Sequence, residues 1–120
     1  MSAAAVEKVI ERYTEAWTRG DLQKARTFLA DDLRFEGSMF SFSNADDLIA
    51  VVQGFPDILE RVDIHRRLFD DRGGVLLYDC VTTGPAGVIR HAEFFDVEDG
   101  KITQIRLVFD ATELRKLFGD

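Results

Sequence analysis

Residues 88–109 read VIRHAEFFDVEDGKITQIRLVF. Two runs, Val88 to Val97 and Ile102 to Phe109, are rich in β-branched and aromatic residues and predict strands. Asp99-Gly100 between them is a hairpin turn, and a connection that short makes the strands antiparallel. Because strand side chains alternate, His91, Glu93, Phe95 and Val97 share one face, so an imidazole and a carboxyl sit among apolar neighbours. Working back along the chain, Val75 to Thr83 and Val62 to Phe69 read as two more strands. Gly84-Pro85-Ala86-Gly87 and Gly73-Gly74 separate them at hairpin distances.

The first half of the chain has a different period. Val6, Val9, Ile10, Tyr13, Ala16 and Trp17 recur at three- and four-residue spacing, one face of a helix that Gly20 ends. Asp21 caps a second, shorter helix that turns Leu22, Ala25, Phe28 and Leu29 inward. A brief strand, Leu33 to Glu36, follows Asp31-Asp32. A third helix starts at Ser43 or Asn44, carries Asp46 and Asp47 in its first turn, and stops at Gly54 and Pro56. Asp110 with Glu113 resembles a capping box for a terminal helix through Phe118. Helices first and an antiparallel sheet afterwards predict an α+β fold with the helices gathered on one sheet face.

At 120 residues and 46% hydrophobic content the chain predicts one domain, residues 1–120, with a core that needs no staples. Twenty-two acidic against fifteen basic residues leave a net charge of -7, which argues against nucleic acid or an anionic membrane surface as the main partner. No apolar run approaches a membrane span, and Met1 to Lys8 carry charge where a signal peptide needs an apolar stretch. With Cys80 the single cysteine, no internal disulfide is possible, and the expectation is a cytoplasmic protein. Ten Phe against two Tyr and one Trp point either to a dense core or to an apolar pocket.

The order helix, helix, short strand, helix, four strands resembles the cone-shaped fold of the nuclear transport factor 2-like superfamily. Arg12-Tyr13, Trp17 with Gly20-Asp21, Phe28-Leu29-Ala30-Asp31-Asp32 and Asp99-Gly100-Lys101-Ile102 are similar to its SnoaL-like and ketosteroid isomerase-like members. The resemblance implies three N-terminal helices packed on a strongly curved antiparallel or mixed sheet, a half-barrel enclosing a pocket, and a short C-terminal helix. It implies further that Trp17, Phe35, Phe40, Phe55, Phe95 and Phe109 line that pocket and bind a ligand.

Four polar residues are candidates for chemistry. Tyr13 shares the buried spacing of its helix, so its hydroxyl needs a partner, either a protein group or a ligand. Its position also matches the hydrogen-bonding tyrosine of ketosteroid isomerase-like proteins. Glu93, if it faces the cavity with Phe95, is desolvated and held neutral as a hydrogen-bond donor, where the family's second oxyanion-holding acid sits. The resemblance places the family's proton-shuttling aspartate at Gly37, which has no side chain, while Glu36 beside it faces away. Asp79, in phase with Val75, Leu77 and Val81 on a face that reads as apolar, is the expected substitute, unless it is paired with His65, His91, Arg66 or Arg90. His91, like His65, has an ordinary pKa near neutrality and is a second candidate base. Two isolated histidines give no metal-ligand spacing, no cofactor is implied, and Cys80 reads as an inert buried thiol.

The expected function is therefore binding of a small, largely apolar molecule bearing a carbonyl or hydroxyl. Cofactor-free isomerisation, cyclisation or dehydration would follow from Tyr13 and Glu93 steadying oxyanion charge while Asp79 or His91 moves the proton. The alternative is a non-catalytic binding or dimerisation module of the same fold. The resemblance implies a homodimer through the outer sheet face, which Arg90, Asp96, Gln104 and Arg106 would populate beside Val108.

Overall fold

The computed structural model describes residues 1–118. Helix α1, Ala3–Thr18, begins where the Ser2 side chain accepts from the Ala5 N–H and lays Val6, Ile10, Tyr13 and Trp17 inward. Asp21 caps α2, Leu22–Arg26, by accepting from Lys24 N–H. Asn44 caps α3, Ala45–Val52, through Asp47 N–H, with Asp46 and Asp47 in the positive first turn.

Six strands follow the order β2-β1-β6-β5-β4-β3 in one sheet. They are β1 (Leu29–Gly37), β2 (Ser41–Phe42), β3 (Leu59–Phe69), β4 (Gly73–Thr82), β5 (Val88–Glu98) and β6 (Lys101–Phe109). Strands β3 to β6 form an antiparallel meander, and β1 joins β6 in parallel, so the sheet is mixed, curved and unclosed. Register shifts between Ile64 and Arg66 and between Asp96 and Val97 sit where such interruptions bend strands. At the β5–β6 turn Asp99 and Gly100 have φ of 51° and 80°, a left-handed pair in which glycine costs nothing. Helix α1 packs across the concave face, and Val6, Ile10, Leu33, Leu76, Ile102 and Ile105 are buried between the layers.

Three boundaries differ from the sequence reading. Leu29 belongs to a strand instead of the second helix, because it pairs with Ile102 while Asp31 and Asp32 stay exposed. Arg26 fixes that transition, bonding Asp31 and Asp46 and donating to the Leu29 carbonyl. Pro56 opens a 3-10 turn, Phe55–Ile58, and β3 begins directly after it. Asp110 accepts from the N–H and hydroxyl of Thr112, and Glu113 pairs with Lys116 instead of closing a capping box. The helix itself, α4 (Thr112–Phe118), is present. Ser38 ties it and β6 to the β1–β2 loop, accepting from Phe109 N–H and from Arg115.

Candidate functional site

Between the concave sheet face and the helices lies a cavity of about 250 Å³, bordered by Tyr13, Tyr78, His91 and Glu93 within a largely aromatic and aliphatic wall. Helix periodicity directs Tyr13 into it, and strand alternation directs Tyr78, His91 and Glu93. Trp17 and Phe55 lean together with ring centroids 6.2 Å apart. Phe35 packs on Phe42, which stacks with Phe40. Phe40 borders the cavity yet is 46% exposed, so it forms part of the mouth.

The polar groups inside depend on one another. Tyr78 Oη donates to Glu93 Oε1 at 2.9 Å, and both side chains are buried. Burial raises the Glu93 carboxyl from the ordinary 4.5 to about 7, against the opposing pull of the Tyr78 hydrogen bond. Burial and then the Glu93 charge push the Tyr13 phenol well above its ordinary value, so it stays a neutral donor. Its hydroxyl takes part in none of the hydrogen bonds made by the described side chains and borders the cavity. The ring rests edge-on against Phe95, centroids 6.1 Å apart.

His91 stacks on Tyr78, with rings 5.1 Å apart and nearly parallel, and leans on Phe109 at 4.8 Å. Its Nδ1 lies 3.0 Å from the Ile89 carbonyl, which only accepts, so Nδ1 carries the proton and Nε2 keeps its lone pair. Burial lowers its pKa from 6.5 to about 4, leaving a neutral imidazole at pH 7. Burial pushes the Cys80 thiol up to about 12, which removes it as a nucleophile at neutral pH.

Asp79 does not enter this site. It lies on the opposite, convex face, where Arg90 Nε donates to Oδ1 at 2.8 Å and His65 Nε2 meets Oδ2 at 2.8 Å. Arg90 foremost, then His65, holds its carboxyl well below the usual range. Strand β4 is apolar on both sides, and the side opposite Val75 and Leu77, carrying Leu76, Tyr78 and Cys80, is the buried one. Phe95 faces inward as expected but is buried beneath α1 and does not border the cavity. Trp17, Phe35, Phe40, Phe55 and Phe109 do. Tyr78 is the polar residue that sequence reasoning missed.

At Gly37 a Cβ would lie 2.7 Å from the Phe35 ring and 3.1 Å from the Phe40 carbonyl. The strand position where the resemblance places a base therefore has no side chain and no room for one without movement of Phe35. Among the described residues no group of three or more His, Cys, Asp or Glu is placed to hold a metal ion, and no helix is long and apolar enough to cross a membrane.

Comparison with known proteins agrees with this architecture. No curated protein sequence matches the chain. A protein from Kribbella flavida is similar at 28% identity, with 93% of this chain and 92% of that one aligned and a TM-score of 0.87. A de novo designed protein with a curved β-sheet aligns over 98% of this chain and 93% of its own at 21% identity and a TM-score of 0.83. A steroid delta-isomerase from Pseudomonas aeruginosa covers 96% and 92% at 16% identity and a TM-score of 0.75, a likeness of fold alone. The SnoaL-like domain model matches residues 10–105, four-fifths of the length and all the polar groups that border the cavity. The chain therefore belongs to the SnoaL-like family of the nuclear transport factor 2-like superfamily.

Proposed function

We propose that the cavity binds a small, largely apolar molecule bearing a carbonyl or hydroxyl oxygen, and that the protein performs cofactor-independent acid–base chemistry on it. Isomerisation, cyclisation and dehydration all fall in this class. The supporting observation is that the Tyr13 hydroxyl, free of protein partners among the described residues, and the Glu93 carboxyl border the same apolar space. In an isomerisation a proton leaves the carbon beside the carbonyl, charge moves onto the oxygen, and a proton returns at another carbon. Tyr13 and neutral Glu93 donate to that oxygen as it becomes negative, where exclusion of water strengthens both bonds. His91, which borders the cavity and keeps a lone pair on Nε2, is the group that accepts the proton in this reading. Glu93, titrating near neutrality, is the second group able to move one.

The test is exchange of the protons beside a cyclic ketone's carbonyl for deuterium, followed by NMR with the protein as catalyst. Tyr13→Phe and Glu93→Gln should each slow exchange by about 10²–10³-fold. Rates equal to the parent protein's would sink the assignment.

A specific feature of the other sheet face supports a homodimer. Leu68, Phe94 and Val108 are 54%, 44% and 59% exposed on the convex side. Leu68 and Phe94 both flank Val75 across the strands. A second copy would cover this apolar surface. Sedimentation should give twice the chain mass, and Phe94→Lys should reduce it to one; a monomeric parent protein refutes the pairing.

A further inference from the structure

We propose that the ligand is uncharged, built of one or two rings with about ten non-hydrogen atoms, and bears an oxygen that accepts hydrogen bonds at the Tyr13–Glu93 end of the cavity. This rests on the reading that the cavity is a ligand site, and it names the class of molecule that site takes.

Size comes first. An apolar cavity of roughly 150 Å³ holds one benzene, about 25 Å³ for each carbon. At that density 250 Å³ encloses about ten atoms. Gly37 does not enlarge the space, because the Phe35 ring already occupies the position of its missing side chain. The outer limit is set by Phe40 and Val51, both bordering the cavity and 46% and 44% exposed. A longer skeleton would extend past them into water, and its additional rings would bury little further surface.

Charge and hydrogen-bonding polarity decide the rest. Among the described residues no Lys or Arg borders the cavity, and Glu93 is the one acid that does. A carboxylate ligand would lose its hydration with no counter-charge to replace it. An ammonium would find Glu93, but it brings only donors and would leave the Tyr13 hydroxyl without an acceptor. A carbonyl oxygen accepts from Tyr13 and from neutral Glu93 together. The flat walls, Trp17 with Phe55 and His91 with Phe109, suit a ring.

Four probes of graded size and charge test this at pH 7: 2-tetralone, progesterone, 2-naphthoate and 2-aminotetralin. Affinity is measured by calorimetry, and Trp17, the single tryptophan, reports by fluorescence whether binding is in the cavity. The expected result is that 2-tetralone binds and perturbs Trp17, progesterone binds no tighter, and both charged probes bind at least about tenfold more weakly. Tighter binding of progesterone, or a charged probe within tenfold of 2-tetralone, overturns the size or charge assignment while leaving the cavity a ligand site. If none of the four binds, the ligand-site reading fails and takes this inference with it.

Discussion

The two faces of the sheet each hold a carboxylate with partners on neighbouring strands, and the two carboxylates are driven in opposite directions. On the concave face Glu93 meets one neutral donor, Tyr78, and burial raises its pKa to about 7. On the convex face Asp79 meets Arg90 through two hydrogen bonds and His65 through a third, which hold its carboxyl well below the usual range. Tyr78 and Asp79 are adjacent in β4, as are Arg90 and His91 in β5, so a single residue's step separates the two environments. A carboxylate paired with a guanidinium at the surface is fixed in one ionisation state. One buried beside a phenol stays close to the midpoint of its titration, the condition acid–base chemistry needs.

The largest way to break this contrast is to neutralise Glu93. Its folded pKa lies above the unfolded value of 4.5, so its contribution to stability is fully present below 4.5 and is lost as pH rises through about 7. That loss amounts to about 3 kcal/mol by pH 8. Glu93→Gln should therefore be more stable than the parent protein at pH 8 and similar to it at pH 5, as read from urea midpoints. Parallel curves across that range would mean that Glu93 is not desolvated as described.

Tyr78→Phe sharpens the same point with a smaller effect. The Tyr78 hydrogen bond is the one influence that pulls the Glu93 pKa down, so its removal should move the carboxyl's titration to still higher pH. The cost should be about 1–2 kcal/mol at pH 8, where Glu93 is charged, and less at pH 5. Carbon-13 NMR of the Glu93 carboxyl reads the shift directly. An unmoved titration would show that the phenol does not govern the acid.

These contrasts also mark what could be read from the sequence and what could not. Helix spacing put Tyr13 inward because α1 has one apolar side, and alternation counted back from the Asp99-Gly100 turn put His91, Glu93 and Phe95 on the face that Val97 shares. Strand β4 has two apolar sides: Leu76, Tyr78 and Cys80 against Val75, Leu77 and Val81. Alternation alone could not choose between them, and Asp79 was expected inward. Register makes the choice, since Tyr78 lies opposite His91 and Leu76 opposite Glu93. Antiparallel partners share a face, so inward His91 and Glu93 require outward Asp79. That register depends on the turn before β5, where Thr82 N–H donates to the Gly87 carbonyl, a geometry composition does not specify. Phe95 illustrates a second limit. Alternation assigns a face but not a distance along the strand, and the cavity ends before Phe95 is reached.

The convex carboxylate gives the smallest effect and the opposite sign. Because the folded pKa of Asp79 is depressed, its contribution is present above the unfolded value of 3.8 and is lost as pH falls toward the folded one. Asp79→Asn should leave Arg90 and His65 in contact with water, since they are 63% and 41% exposed, so little is stranded at pH 7. The Asp79 side chain is 14% exposed, but both partners reach water, and the substitution should cost less at neutral pH than Tyr78→Phe does at pH 8. Between pH 4 and pH 2 the parent protein should lose stability faster than the variant, and their urea midpoints should converge. If instead Asp79→Asn costs as much at pH 7 as Tyr78→Phe does at pH 8, the convex cluster is buried in the working protein. That result would place it under a second copy of the chain, where an ion pair cut off from water loses far more when one partner is removed.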